Sequence, residues 1–494
     1  MLAPPLLIKA HRWLGLVMSI ALLVWAMTGA LYSLKPAIQP QPIKHAAPPQ
    51  TLDLRTAIAL PTLLADQGWR SVQQASAVQL DLTLTAYRVK LIGNPIARYY
   101  NVMTGQYIVA GESLDAQRLA LWYSGQGVDQ LTQTQIITTF SDDYPARHRV
   151  LPVWQVSFAD GLRAYVDPSQ SRLISLSNDQ QMWLTRLFRI GHTWSLGQID
   201  WPEKKPIMAG YLIGMMLLTI GGISLWMLGR QTNTSFIEPV SMARRWHRRL
   251  GSLLAVLLLF WAASGLFHLL RSASPQSIKP SVFLVSHLSG AAWQQAVSQP
   301  MARIDLVSLQ SSQPDQQTHT GQTAAAWLIH PSTAATEPKP TTRDHSVLSQ
   351  WRMIDAKLGQ PLADGLSQRV QHVVGLYTNL KPTQISSVAL RPSTEINDHW
   401  YSTQIDQRIL KIETQTDDHL TLYIDPISSI LLAKQNDTDR LESRVFAGLH
   451  QWIGLPITQP LRHGLIGIAS LLVALLGVLG LILWGMRRYS RQPL

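Results

Sequence analysis

Four stretches of the chain, Trp13 to Leu34, Ile207 to Gly229, Leu250 to Leu270 and Gly464 to Met486, contain no Asp, Glu, Lys or Arg. Each reaches the roughly 20 residues a helix needs to cross about 30 Å of hydrocarbon. The spacing predicts four transmembrane helices. The 46% hydrophobic and 15% charged residues of the whole chain fit a membrane protein better than a soluble one.

The charges outside these runs give the chain a direction. Lys9 and Arg12 precede the first run, Arg230, Arg244, Arg245, Arg248 and Arg249 separate the second from the third, and Arg487, Arg488 and Arg491 follow the fourth. Only Glu238 opposes them. The positive-inside rule then predicts both termini in the cytoplasm of a bacterial inner membrane, with two large segments outside. A net charge of +12 is explained by topology and by contact with anionic lipid, and implies no nucleic-acid partner.

A cleaved signal peptide usually has about 7 to 15 apolar residues and a small-residue cleavage site. The first run is longer and continues into Tyr32-Ser33-Leu34-Lys35-Pro36, so it reads as an uncleaved helix. The chain has no cysteine. That excludes disulfides, a Cys-x-x-Cys-His haem attachment and Cys-ligated clusters, leaving His, Met or a non-covalent pocket to hold any redox centre.

The expected organisation is a cytoplasmic lead and first helix (1–34), an outer domain (35–206), the second helix (207–229), a basic loop (230–249), the third helix (250–270), a second outer domain (271–463), and the fourth helix with its tail (464–494). Pro36 to Gln50 reads as a linker, and Leu52 to Trp69 has helix-like spacing. Strand patterns follow at 86–92, 98–102, 106–110, 153–158 and 164–166, with turns at Met103-Thr104-Gly105 and Asp167-Pro168-Ser169. In the second outer segment 385–390, 401–405, 409–413 and 421–424 read as strands. The polar stretch from Gln310 to His345 reads as a loop, interrupted by a candidate strand from Ala324 to His330. Both outer domains are expected to be α+β.

Much of the chain occurs twice. His11-Arg12-Trp13-Leu14-Gly15 recurs as His247-Arg248-Arg249-Leu250-Gly251, and Trp25-Ala26 and Gly29 recur as Trp261-Ala262 and Gly265. Tyr165-Val166-Asp167-Pro168 recurs as Tyr423-Ile424-Asp425-Pro426. At that same offset Arg186, Phe188, His192, Trp194 and Trp226 recur as Arg444, Phe446, His450, Trp452 and Trp484. The fold class expected is therefore a four-helix membrane bundle carrying two outer α+β domains, with an internal two-fold repeat.

The His-Arg-Trp-Leu-Gly start, the Tyr-x-Asp-Pro strand ends and the His before each returning helix resemble the PepSY-associated transmembrane proteins, often described as iron-regulated membrane proteins. The resemblance covers nearly the whole chain, but the polar insertion at 310–345 has no counterpart in it. It implies PepSY-like outer domains. It also implies an inner-membrane reductase of ferric siderophores with one or two b-type haems, although other members have unknown roles.

A bis-histidine haem needs two neutral imidazoles on opposite faces of one iron. The repeat offers His11 with His247 at the cytoplasmic edge and His192 with His450 at the outer edge. His268 and His463, near the outer ends of the third and fourth helices, are further axial candidates. His247 and His268 lie about 31 Å apart along one helix, near one face. Arg186 and Arg444, about two helical turns before their His, are candidates for haem propionates. The plainer readings are polar anchors for His11 and His247, and an interfacial aromatic belt for His192 and His450 beside Trp194 and Trp452. Thr28-Gly29, Gly221-Gly222, Ser264-Gly265, Gly477 and Gly480 either make room for a macrocycle or only let helices pack closely. His45, His148, His287, His319, His330, His345, His372, His399 and His419 show no tight metal-ligand spacing.

The function expected is a transmembrane electron conduit reducing a ferric, siderophore-type complex on the outer side. No flavin or nicotinamide fingerprint is present, so the donor is a separate partner, a membrane quinol or a cytoplasmic reductase. The alternatives are a non-enzymatic scaffold whose outer domains regulate peptidases or sense a ligand, and a permease. The permease is disfavoured because the apolar spans carry no Asp, Glu, Lys or Arg.

Overall fold

A computed structural model of the chain describes residues 4–195, 203–231, 242–271, 282–309, 324–331, 351–393 and 408–489. From the N-terminus, α1 (Pro4–Tyr32) is followed by the single turn α2 (Lys35–Ile38). The first outer segment holds α3 (Leu60–Asp66), strands β1 (Ser71–Val72), β2 (Gln74–Gln79), β3 (Thr85–Lys90), β4 (Arg98–Asn101) and β5 (Tyr107–Ile108), and α4 (Gly111–Ser124). Strands β6 (Leu131–Ile137), β7 (Val153–Phe158), β8 (Arg163–Asp167) and β9 (Arg172–Ser177) complete it. Next, α5 (Asp179–His192) leads back towards α6 (Lys204–Gln231) and α7 (Met242–Arg271).

The second outer segment holds β10 (Phe283–Leu284), α8 (Gly290–Ala296), β11 (Met301–Leu309), β12 (Ala324–Pro331) and β13 (Arg352–Asp355). It continues through α9 (Gly365–Tyr377), β14 (Ile385–Pro392), β15 (Arg408–Thr414), β16 (Thr421–Ile424) and β17 (Leu431–Gln435). Finally, α10 (Asp437–Val445) passes into a π-helical turn, Phe446–His450, before α11 (Gln459–Tyr489).

Helices α1, α6, α7 and α11 are long and apolar enough to cross a membrane. They extend past the uncharged runs. The N-terminal end of α1 takes in Lys9 and Arg12, and that of α7 takes in Arg244 to Arg249, where long cationic side chains can reach the lipid headgroups. Helix α1 packs along α11 and α6, and α7 packs along the same two. Met18, Leu22 and Trp25 of α1 share one apolar core with Met208 and Met215 of α6, Leu254 and Leu258 of α7, and Val473 and Leu476 of α11. Against this core α5 packs on α1, and the π-helical turn packs on α7.

Outside the spans, α4 packs on the antiparallel sheet β6-β7-β8-β9, while Val370, Val373 and Val374 of α9 share a core with β14-β15-β16-β17. A third sheet has the order β13-β12-β11-β2-β3-β4-β5 and draws strands from both outer segments. They meet at β2 and β11, with Ala77 opposite Ile304 and Ser76 opposite Asp305. The core beneath is shared, with Leu60, Leu64 and Tyr87 from one segment against Trp293 and Trp327 from the other. The repeated Tyr-x-Asp-Pro motifs end β8 and β16. Asp167 accepts from the backbone N–H of Ser169, Asp425 from those of Ile427 and Ser428, and Arg172 donates to both carboxylates.

Strands expected at 86–92, 98–102, 106–110, 153–158, 164–166, 324–330, 385–390, 409–413 and 421–424 correspond to β3, β4, β5, β7, β8, β12, β14, β15 and β16. The helix expected over Leu52 to Trp69 shrinks to α3. Leu52 exchanges backbone hydrogen bonds with Met301, which takes its amide and carbonyl away from any helix. Helix α4 had no sequence signal because its inward face carries acids. Glu112 accepts from Arg88 at 2.6 Å and Asp115 from the Tyr99 hydroxyl at 2.9 Å, all four being buried. The strand expected at 401–405, most of 310–345 and the middle of the basic loop lie outside the described residues.

Candidate functional site

Two pairs of histidines sit at different levels of the helical core. At the outer level, α5 ends in His192 and the π-helical turn ends in His450. Their ring centroids are 6.3 Å apart with planes at 82°. His192 Nδ1 lies 3.4 Å from the Thr28 hydroxyl and 3.3 Å from the Trp25 carbonyl, both on α1. His450 Nδ1 lies 3.2 Å from the Ser264 hydroxyl on α7. Thr28 and Ser264 in turn donate to carbonyls of their own helices, those of Val24 and Phe260, at 2.6 Å. Each imidazole is thus held through Nδ1, the arrangement that orients a metal-ligating histidine and leaves Nε2 as the donor atom.

The sequence builds this level through glycine and tryptophan. A Cβ on Gly29 would stand 3.8 Å from His192 Cε1, and one on Gly265 3.8 Å from His450 Cε1. At Gly191 a Cβ would collide with Thr28 Cγ2 at 2.5 Å, so glycine lets α5 lie directly on α1. Past each histidine the chain turns through a tryptophan with left-handed backbone, Trp194 at φ 49° and Trp452 at φ 58°. That conformation is costly for a bulky residue and clusters at functional sites. Trp194 stacks on Trp25 at 5.4 Å, and Trp452 on Trp261 at 6.0 Å.

A ladder of rings runs outward from each histidine. Phe188 stacks on His192 at 4.5 Å and on Tyr32 at 3.9 Å, while Phe446 stacks on His450 at 4.6 Å and on His268 at 4.0 Å. His268 therefore stands at the far end of a ladder, its Nδ1 2.5 Å from Glu442 Oε1. His463 lies beside Arg462 at the start of α11, and among the described residues no contact joins it to His192 or His450. Arg186 is engaged by Asp143 through contacts of 2.6 to 3.0 Å, and Arg444 is exposed.

At the other level His11 of α1 faces α6, and His247 of α7 faces α11. Gly222 would bring a Cβ to 3.2 Å from His11 Cε1, and Gly480 one to 3.5 Å from His247 Cε1. Each Nδ1 is buried and leans towards a carbonyl, Leu218 for His11 and Leu476 for His247, without completing a hydrogen bond. Gly221 also borders His11, whereas Gly477 lies against Leu22 and Leu23 and serves helix packing.

By donor chemistry and proximity these residues fit a bis-histidine group: two imidazoles, each held through Nδ1, stand with ring centroids 6.3 Å apart and would both be at hand for one bound iron. The donor set is nitrogen-only in an apolar surround, which suits a haem iron and gives no handle to a hydrated cation. Among the described residues no cluster of three or more His, Asp or Glu is arranged to hold a free metal ion. Of the scattered outer histidines, His319, His345 and His399 lie outside the described residues.

The profile of a protein family described as the PepSY-associated TM region matches residues 8–331. Compared with curated proteins, the chain has no match.

Proposed function

Because the chain belongs to the PepSY-associated transmembrane family, and because its helical core brings His192 to His450, we propose that it is an electron conduit with b-type haem. It is a membrane protein with four apolar helices. In this reading it lies in the inner membrane with both termini cytoplasmic, and its helices form a bundle of two repeats about a pseudo-two-fold axis. The matched surroundings of the two outer histidines support the repeat. His192 and His450 would hold one haem from α5 and the π-helical turn, and His11 and His247 would hold a second from α1 and α7.

Haem, when bound, would supply reversible one-electron chemistry, with His192 and His450, or His11 and His247, as the residues that would hold it. The chain's own residues hold His192 and His450 through Nδ1, exclude water with Trp25, Trp194, Trp261 and Trp452, and separate the two levels by the apolar core. The net reaction takes one electron from a separate donor, a quinol or a cytoplasmic reductase. It converts an outer ferric chelate to its ferrous form, which hard-oxygen ligands hold more weakly.

The 6.3 Å separation of His192 and His450 carries this reading. A reduced-minus-oxidised spectrum and a pyridine haemochrome assay of the purified full chain test it. The expected result is a bis-histidine α-band, lost in part when His192 or His450 is replaced by Ala and in its remaining part when His11 or His247 is also replaced. A wild-type protein without Soret absorption overturns it.

A further inference from the structure

Two cations converge on one tyrosine hydroxyl at the outer end of α1. Lys35 Nζ donates to Tyr32 Oη at 3.2 Å and lies 5.1 Å from the centre of that ring. The Arg147 guanidinium, carried on the loop between β6 and β7, approaches the same hydroxyl. Its Nε is buried without a hydrogen-bond partner. Other arginines nearby are neutralised, Arg186 by Asp143 and Arg189 by Asp142. Among the described residues no carboxylate pairs with Lys35 or Arg147. On α7 the place of Tyr32 is taken by His268, where Glu442 supplies the opposite charge.

Lys35 and Arg147 are half-buried cations that share one acceptor, so they repel each other with reduced solvation, and an anion beside them relieves that repulsion. A hydroxyl donor flanked by an ammonium and a guanidinium matches the two oxygens of a carboxylate. We propose that Lys35, Tyr32 and Arg147 form a seat for a carboxylate group. Its nearest source rests on the haem reading. Tyr32 is separated from His192 by the single ring of Phe188, so a propionate of a haem held by His192 and His450 would be within its neighbourhood. The other source of the same chemistry is a carboxylate of an arriving iron chelate.

The test uses the purified full chain with its native haem, comparing wild type with Lys35→Gln, Arg147→Gln and the charge-preserving Lys35→Arg and Arg147→Lys. Haem transfer to excess apomyoglobin measures retention, calorimetric titration with citrate measures capture of a soluble carboxylate, and thermal melting identifies variants that fail to fold. If the seat holds a propionate, each neutral substitution speeds haem loss about tenfold and the charge-preserving ones do not. If it holds a soluble carboxylate, haem retention is unchanged and citrate binding weakens about tenfold in the neutral variants. Folded neutral variants that match wild type in both readouts overturn the seat. A wild-type protein devoid of haem overturns the proposed function, and the citrate titration then decides the seat alone.

Discussion

Arg172 touches both copies of the Tyr-x-Asp-Pro motif. Its Nε donates to Asp167 and its Nη1 to Asp425, each at 2.9 Å, with all three side chains at most 7% exposed. Removing it takes the shared cation from two buried carboxylates, so Arg172→Met is expected to destabilise the outer region by about 3–5 kcal/mol. Thermal melting followed by tryptophan fluorescence measures this; an unchanged midpoint refutes it. The same group gives a pH dependence. Burial alone would raise the Asp167 carboxyl, but the adjacent Arg172, the Ser169 hydroxyl and Arg88 outweigh it and hold the carboxyl below its ordinary value. A lowered folded value means the contribution is fully present above the unfolded Asp pKa of about 3.9 and fades as pH falls through the folded value. Melting temperature is therefore expected to drop below about pH 4 in wild type, and less so in Asp167→Asn. At this scale the sequence exposed the repeated residues but not their partners. Arg186 looked available to a propionate because Asp143, which engages it, is distant in sequence.

At the scale of elements, the glycines divide the two histidine levels between different helix pairs. Gly222 on α6 borders His11, whereas Gly265 on α7 borders His450. A leucine at either place fills space that the facing imidazole ring uses, and overpacking of this kind costs about 1–3 kcal/mol or displaces the neighbour. Gly222→Leu is expected to remove the haem signal of the His11–His247 pair alone, and Gly265→Leu that of the His192–His450 pair alone. Redox titration of the α-band, resolved into two components, checks this. Equal loss of both components in either variant argues against two separate levels. The spans and the repeated position of His192 were legible in the sequence, since apolar length and a repeated motif are local signals. The π-helical turn that aims His450 was not, because it arises from packing on α7. Nor was α4, whose inward Glu112 and Asp115 imitate an exposed helix face until Arg88 and Tyr99 arrive from neighbouring strands.

For the whole molecule, the pairing of β2 with β11 has the largest consequence. Sequence patterns suggested two outer domains because each segment has its own strands and its own repeat of Tyr-x-Asp-Pro. Alternation within a strand reports which face is buried, but not which strand lies alongside, so a ladder between residues so far apart leaves no local trace. In the structure the ladder makes one seven-stranded sheet over a shared core, in which Tyr87 meets Trp293 at 5.6 Å and Trp293 meets Trp327 at 4.9 Å. The two segments are thereby tied through one sheet, while His192 and His450 are placed by the packing of α5 on α1 and of the π-helical turn on α7. The absence of cysteine allows a direct test. Directly opposed residues of an antiparallel pair have Cα atoms about 4.5–5.5 Å apart, within disulfide range. Ala77→Cys combined with Ile304→Cys is expected to form an intramolecular disulfide, seen as a mobility change on non-reducing gels that reductant abolishes. Neither single variant should show it. Free thiols in the folded double variant would mean that the outer segments stand apart.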